Sequence, residues 1–162
     1  MKAFADTYER ESATTVRVLR AYPEDKLDLK PHEMSKSARE LAWLFVMEQG
    51  MLETALTKGF DWSKPQPKPP EPPATMREIA DALEAGQRRV VELVRDTPEE
   101  KLPTTVSFFT GPRQTGDYPT KTFLWFMLHD QIHHRGQFSI YLRMAGGKVP
   151  SIYGPTADEP WS

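Results

Sequence analysis

The sequence predicts an all-α protein, a four-helix bundle, on three observations. Four segments place apolar residues at the three- to four-residue spacing of an amphipathic helix. β-like patterning is confined to one short run, TTVSFF. A proline-rich segment, 64–74, separates the second helical segment from the third. Two helix pairs of this size would each be too small to stand alone, so we interpret the segment as a crossover within a single domain, 1–162.

The first two helices have recognisable start and stop signals. Residues 1–22 carry apolar side chains at helical spacing, and Pro23 ends the first helix. Ser37, followed three residues later by Glu40, forms the capping-box pattern that begins the second helix. That helix is predicted to end near Gly59.

The crossover and the third helix follow. The run KPQPKPPEPP contains six prolines in ten residues, which excludes helix and central strand. At the polyproline rise it extends over about 30 Å. Thr75 and Glu78 form a second capping box, and the third helix is predicted to reach about Asp96.

The fourth helix is predicted over 120–145, because Gly146 and Gly147 follow it directly. The C-terminal segment 147–162 contains three prolines and is predicted to pack as an ordered strap.

An internal repeat indicates that the bundle consists of two similar helix hairpins. Two pairs of segments match: VLRAYPEDKL (18–27) with LVRDTPEEKL (93–102), and WLFVMEQ (43–49) with WFMLHDQ (125–131). Aligning the tryptophans of the second pair places Glu48 opposite Asp130 and Gln49 opposite Gln131.

The fourth helix concentrates ionisable side chains. Three of the four histidines, His129, His133 and His134, lie within six residues. His129 shares a helix face with His133, and Asp130 shares one with His134. The two rows lie about 100° apart, and both continue into apolar residues, so periodicity does not decide which row faces the core. Burying such groups costs several kcal/mol unless they bind something or each other.

A divalent metal ion is one interpretation. Asp130 and His134 offer ligand types that suit Zn, Ni, Mn or Fe, and Glu48, within an apolar run of the second helix, is the best further donor. A structural polar cluster and a metal-free acid–base pair are the alternatives. Arg135 either clamps an anionic substrate group or pairs with an acid.

Composition excludes several classes of function. Net charge is −2 and no basic block occurs, so nucleic-acid binding is not expected. The absence of cysteine excludes disulfides, thiolate metal sites and a protein thiol nucleophile. No signal peptide core and no apolar run of about 18 residues is present, so we expect a cytoplasmic protein without a membrane span.

Four motifs resemble the DinB/YfiT-like family: SARELAW (37–43), HHRGQ (133–137), YLR (141–143) and KVPSIYGP (148–155). The resemblance implies a four-helix bundle with a long crossover between helices 2 and 3, often a homodimer. Many members bind a divalent metal through three histidines, and some are transferases or isomerases that use a small thiol cosubstrate.

Carried over to this sequence, the ligand positions of the family are Leu44, Asp130 and His134. Glu48, one turn after Leu44, completes a Glu–Asp–His set. The resemblance thus implies a metal-dependent transferase or hydrolase acting on a small molecule, with Arg135 and Tyr141 positioning the substrate. Because two histidines are missing, the alternative is a degenerate, non-catalytic bundle that binds a ligand or forms a dimer.

Overall fold

The computed structural model describes residues 1–161 and contains, within them, four long helices and one β-hairpin. The helices are α1 (Lys2–Arg20), α2 (Ala38–Thr57), α3 (Met76–Asp96) and α4 (Thr120–Met144). Strands β1 (Thr105–Gly111) and β2 (Gln114–Pro119) pair antiparallel between α3 and α4. The predicted four-helix fold is confirmed, and the hairpin adds a small sheet where only one β-like run was predicted. Ser162, the last residue of the predicted strap, lies outside the described residues.

Capping residues mark the start of α2, the start of α3 and the end of α4. The Ser37 side chain accepts a hydrogen bond from the Glu40 N–H, and the Glu40 carboxylate accepts one from the Ser37 N–H at 2.6 Å. Thr75 and Glu78 make the same reciprocal pair at the start of α3. At the C-terminal end of α4, Gly146 adopts a φ of +80°. This conformation favours glycine and ends the helix there.

The packing of the helices differs from the predicted pair of hairpins. Helices α1 and α2 each pack against both α3 and α4. Within residues 1–161, α1 and α2 make almost no contact with each other, and neither do α3 and α4, so the two members of each predicted hairpin lie across the bundle from each other. The hairpin prediction is therefore wrong. The connections 21–37 and 97–119 are long enough to pass over the end of the bundle, so consecutive helices need not be neighbours.

The repeated motif nevertheless has the same structure in both halves. Each copy forms a short 3₁₀ helix, at 24–26 and at 99–101. The Glu24 carboxylate accepts hydrogen bonds from the first N–H groups of α3, with 2.8 Å to Met76. Its counterpart, Glu99, contacts the Met1 amino group at the start of α1, 3.4 Å away.

A buried polar layer divides the core. One apolar cluster includes Phe45 and Phe138, and the other includes Leu52 and Phe123. Between them lie buried polar side chains from all four helices: Glu11, Ser12, Thr15, Glu48, Gln49, Gln87, Gln131 and Arg135. In the chain from 1 to 161, none of the helices is both long and apolar enough to cross a membrane.

Candidate metal centre

Packing decides which of the two rows on α4 faces the interior. Phe123 and Phe138, which extend the row of Asp130 and His134, are fully buried. Phe126 and Ile140, which extend the row of His129 and His133, are 47% and 60% exposed. The first row therefore points into the bundle, toward α2.

The structure brings together the three side chains that were predicted as metal ligands. His134 Nε2 lies 3.2 Å from Glu48 Oε1 and 3.6 Å from Asp130 Oδ1. One ligand atom from each residue lies within 4.8 Å of the other two. A tetrahedral ion with ligand distances of about 2.0–2.1 Å separates its donors by about 3.3 Å, so this spacing fits one ion.

Glu48 is the most buried of the three, with 3% of its surface exposed. Its second oxygen, Oε2, is buried and has no hydrogen-bond partner within residues 1–161. Burial raises the pKa of this carboxyl, while the hydrogen bond to His134 acts in the opposite direction. A buried carboxylate oxygen without a partner is uncommon in folded proteins, and a cation would satisfy it.

The hydrogen bond to Glu48 raises the pKa of His134 to about 9, with a further contribution from Gln137. His134 Nδ1 and Gln137 Oε1 are 3.1 Å apart, so Nδ1–H donates to the amide oxygen. When the ring is neutral, the lone pair on Nε2 then faces the two carboxylates, which is the tautomer a metal ligand requires. In the metal-free state the ring proton bridges to Glu48 instead.

An open cleft of 450 Å³ borders the centre. Leu44 lines this cleft together with His134 and Gln137. The Asp130 side chain is 38% exposed, so one side of the centre is accessible to solvent. The centre thus has a buried carboxylate on one side and an entrance on the other.

Arg135 lies in a different environment from the three candidate ligands. It is 1% exposed, and its guanidinium donates to the Glu11 carboxylate at 2.8 Å and to the Tyr153 hydroxyl at 2.7 Å. Among the described residues, Arg135 is not one of those that line the cleft. Of the two interpretations of Arg135, the pairing with an acid is therefore the one present, and it corrects the expectation of a substrate clamp: the guanidinium is held between α1 and the C-terminal strap.

Tyr141 and the remaining histidines lie around the centre. The Tyr141 ring lines the cleft, and its hydroxyl donates to the Lys36 carbonyl at 3.0 Å. His133 Nε2 accepts from the Gln137 amide at 2.9 Å and is exposed. His129 lies beside Trp125, with 6.1 Å between the ring centres. Neither of these histidines joins the Glu48–Asp130–His134 group.

Two residues of the polar layer, Gln49 and Gln131, were not predicted to have a role. Gln49 donates to the Tyr8 hydroxyl at 3.1 Å and to the Leu83 carbonyl at 3.0 Å, and so connects α2 to α1 and α3. Burial raises the pKa of Tyr8 to about 12, so the phenol stays neutral. Gln131, the repeat counterpart of Gln49, is also buried next to Tyr8. The repeat was the available signal, because it pairs the acids with each other and the glutamines with each other.

Comparisons with known proteins agree with this architecture. The model of the DinB family matches residues 2–161. The chain is 27% identical over 161 residues to an uncharacterised protein, YrdA, of Bacillus subtilis strain 168, a match that covers 98% of this chain and 90% of YrdA.

Two solved structures have the same fold. One is a DinB-like protein from Bacillus cereus ATCC 10987, with a TM-score of 0.70, 22% identity, and coverage of 94% of this chain and 97% of that one. The other is the DinB-like protein YjoA from Bacillus subtilis, with a TM-score of 0.70, 16% identity, and coverage of 92% and 96%. The resemblance read from the sequence motifs is thereby confirmed over the whole chain. This protein belongs to the DinB family.

Proposed function

We propose that this protein is a divalent-metal-dependent enzyme that catalyses transfer or hydrolysis of a small molecule, with Glu48, Asp130 and His134 as the metal ligands. The convergence of an imidazole nitrogen and two carboxylates from two helices carries the proposal. The partnerless Oε2 of Glu48, in the part of the chain from 1 to 161, adds support because a cation satisfies it.

The donor set suits Zn, Ni, Mn or Fe. Such an ion supplies Lewis-acid chemistry and lowers the pKa of a coordinated water or thiol. The chain has no cysteine, so a reacting thiol must come from a cosubstrate. Among the protein's own groups, Glu48 provides buried negative charge, Gln137 keeps His134 Nε2 toward the carboxylates, and Leu44 gives the cleft an apolar wall.

Metal analysis tests the proposal on full-length protein purified without a polyhistidine tag. We expect one metal ion per chain in the wild type after titration, and loss of that ion in Glu48→Gln and His134→Ala. His129→Ala is the matched control, because this histidine lies on the same helix outside the group and should leave the metal content unchanged. Substoichiometric metal that does not respond to His134→Ala would remove the proposal. Turnover is then measured on ester and electrophilic substrates, with and without a small thiol.

A second candidate is a non-catalytic, dimeric bundle, and the outer face of α4 favours it. Phe126, Ile140 and Met144 lie along this face and are exposed. An apolar stripe of this kind fits a second copy of the chain. Light scattering tests the homodimer: we expect a dimer that Phe126→Ser weakens. A monomer that turns over substrate would exclude this candidate.

A further inference from the structure

We infer that the cleft beside the metal centre binds a linear molecule with an apolar body and an anionic end group, and that the anion lies against Lys36. The inference deepens the proposed function, on which it rests for the His134 end of the cleft. The Lys36 end does not depend on a metal ion.

The length of the cleft sets the size of the molecule. On α4 the lining extends from His134 to Tyr141, seven residues apart, which is about 10 Å along the helix axis. The opposite wall includes Pro31 and Lys36, from the connection between α1 and α2. A volume of 450 Å³ is in the range of small-molecule sites.

The middle of the cleft is apolar. Leu41 and Leu44 contribute side chains from α2, and Ile140 contributes one from α4. Ile140 is mostly exposed to solvent, so a ligand that covers it removes apolar surface from water. This stretch selects an apolar body and offers few partners to a polar one.

The end of the cleft that lies away from the metal centre is positively charged. Lys36 lines it, and its backbone is held in place because the Tyr141 hydroxyl donates to the Lys36 carbonyl at 3.0 Å. Within residues 1–161 the cleft lining includes no Asp or Glu side chain. Glu40 interacts with Lys36 through its charge but lies outside the lining, where its carboxylate accepts a hydrogen bond from the Ser37 N–H. A carboxylate in the cleft therefore meets the Lys36 ammonium without an acid in the lining itself.

The two ends give the ligand a direction. The group that reacts lies at the His134 end, and the anionic group lies about 10 Å away, two helical turns along α4. A cationic group at the Lys36 end would be repelled. The substrate class is therefore a chain-like or elongated carboxylate rather than an amine or a polyol.

Octanoate is a suitable probe because its length matches the cleft, with octanol and octylamine as neutral and cationic analogues. Each is titrated into full-length protein, both chelator-treated and zinc-loaded, with calorimetry and amide chemical shifts as readouts. We expect octanoate to bind at least about fivefold more tightly than octylamine, as one partly exposed ion pair allows. Lys36→Gln should weaken the binding of octanoate by a similar factor and leave the binding of octanol unchanged. Leu44→Gln should weaken the binding of both molecules. Lys30→Gln, outside the cleft, should leave both affinities unchanged.

The inference would be overturned by equal binding of octanoate and octylamine, by octanoate binding that Lys36→Gln does not change, or by no binding up to the solubility limit. Binding seen only in zinc-loaded protein and independent of Lys36 would also overturn it, because the carboxylate would then be on the metal. The chelated sample separates the two proposals. If zinc does not bind but octanoate still responds to Lys36→Gln, the cleft inference stands and the metalloenzyme proposal fails.

Discussion

Glu48 Oε1 lies 3.2 Å from His134 Nε2, so a carboxylate of α2 and an imidazole of α4 meet inside the bundle. Glu48 belongs to the buried polar layer between the two apolar clusters, and His134 lies beside that layer. A buried acid at this position is costly unless a positive charge accompanies it. In the metal-free protein the positive charge is the His134 proton, and a divalent ion can replace that proton.

Gln137 is expected to control metal affinity without touching the ion. Gln137→Leu removes the acceptor that holds His134 Nδ1–H and should lower zinc affinity about tenfold or more. Gln137→Glu keeps an acceptor and should retain most of the affinity. Competition with a chromophoric chelator measures both variants. His133→Ala, which removes the other partner of Gln137, is the control. Wild-type affinity in Gln137→Leu would contradict the orienting role.

The stability of the metal-free protein should fall as pH rises. The pKa of His134 is about 9 in the folded protein, above its ordinary value of 6.5, so folding favours the protonated ring. The stabilisation is complete below pH 6.5 and is lost as pH rises through about 9. Burial raises the pKa of Glu48 and acts in the same direction.

Because the ring is partly exposed, we expect a loss of about 1–2 kcal/mol over this range, smaller than the full shift implies. Urea unfolding in chelator at pH 6.5 and pH 9 measures the loss. His134→Gln should flatten the dependence. If the unfolding free energy falls with pH equally in the wild type and in the variant, another group is responsible for the dependence.

Arg135 is expected to matter for stability and for the C-terminal strap. Arg135→Leu leaves the Glu11 carboxylate buried without its partner and should cost about 3–5 kcal/mol. Tyr153→Phe removes one hydroxyl from the same network and should cost about 1 kcal/mol. Arg143→Gln breaks a partly exposed pair with Asp158 and should cost less than Arg135→Leu, about 1 kcal/mol.

Denaturant unfolding, with limited proteolysis of residues 147–161, distinguishes these three variants. The strap should be cleaved faster in Tyr153→Phe, while the helices stay protected. Similar losses of unfolding free energy for Arg135→Leu and Arg143→Gln would mean that the Arg135–Glu11 pair contributes no more to stability than the Arg143–Asp158 pair.

Two helical glycines should respond in opposite directions to alanine. A Cβ at Gly86 would lie 1.9 Å from Gln49 Oε1, so Gly86→Ala must displace Gln49 and should cost about 1–3 kcal/mol. Gly136 has no such neighbour within 4 Å among the described atoms, so Gly136→Ala should stabilise α4 by about 0.5–1 kcal/mol. Thermal unfolding checks both. A stabilising Gly86→Ala would show that Gln49 is free to move.

Most of the fold could be predicted because its signals are local. The capping boxes at Ser37 and Thr75 and the glycine after α4 mark helix ends within a residue or two. The predicted hairpins failed because adjacency of helices depends on how the connections pass over the bundle, which no local pattern encodes. The β-hairpin was only partly predictable, since β2 contains three polar residues, a glycine and a proline and lacks a strand-like pattern.

The candidate site was predictable as a set of residues, since Glu48 and Asp130 stand in equivalent places of the repeat and His134 lies one turn after Asp130. Gln137 was within reach as well, because it is one helical turn after both His133 and His134. The partner of Arg135 was out of reach, since Glu11 and Tyr153 lie far from it in the chain and meet it only through packing.

The sequence by itself determined the helices, their caps, the family and the residue types that converge on one point. Tertiary structure alone decided which row of α4 faces inward and that Arg135 is buried against Glu11, away from the cleft. It also decided that Lys36 and His134 line the same cleft. The reason is physical: both rows of α4 are nearly equally apolar, so the choice between them depends on the surfaces that α1 and α2 present, and those exist only in the folded protein.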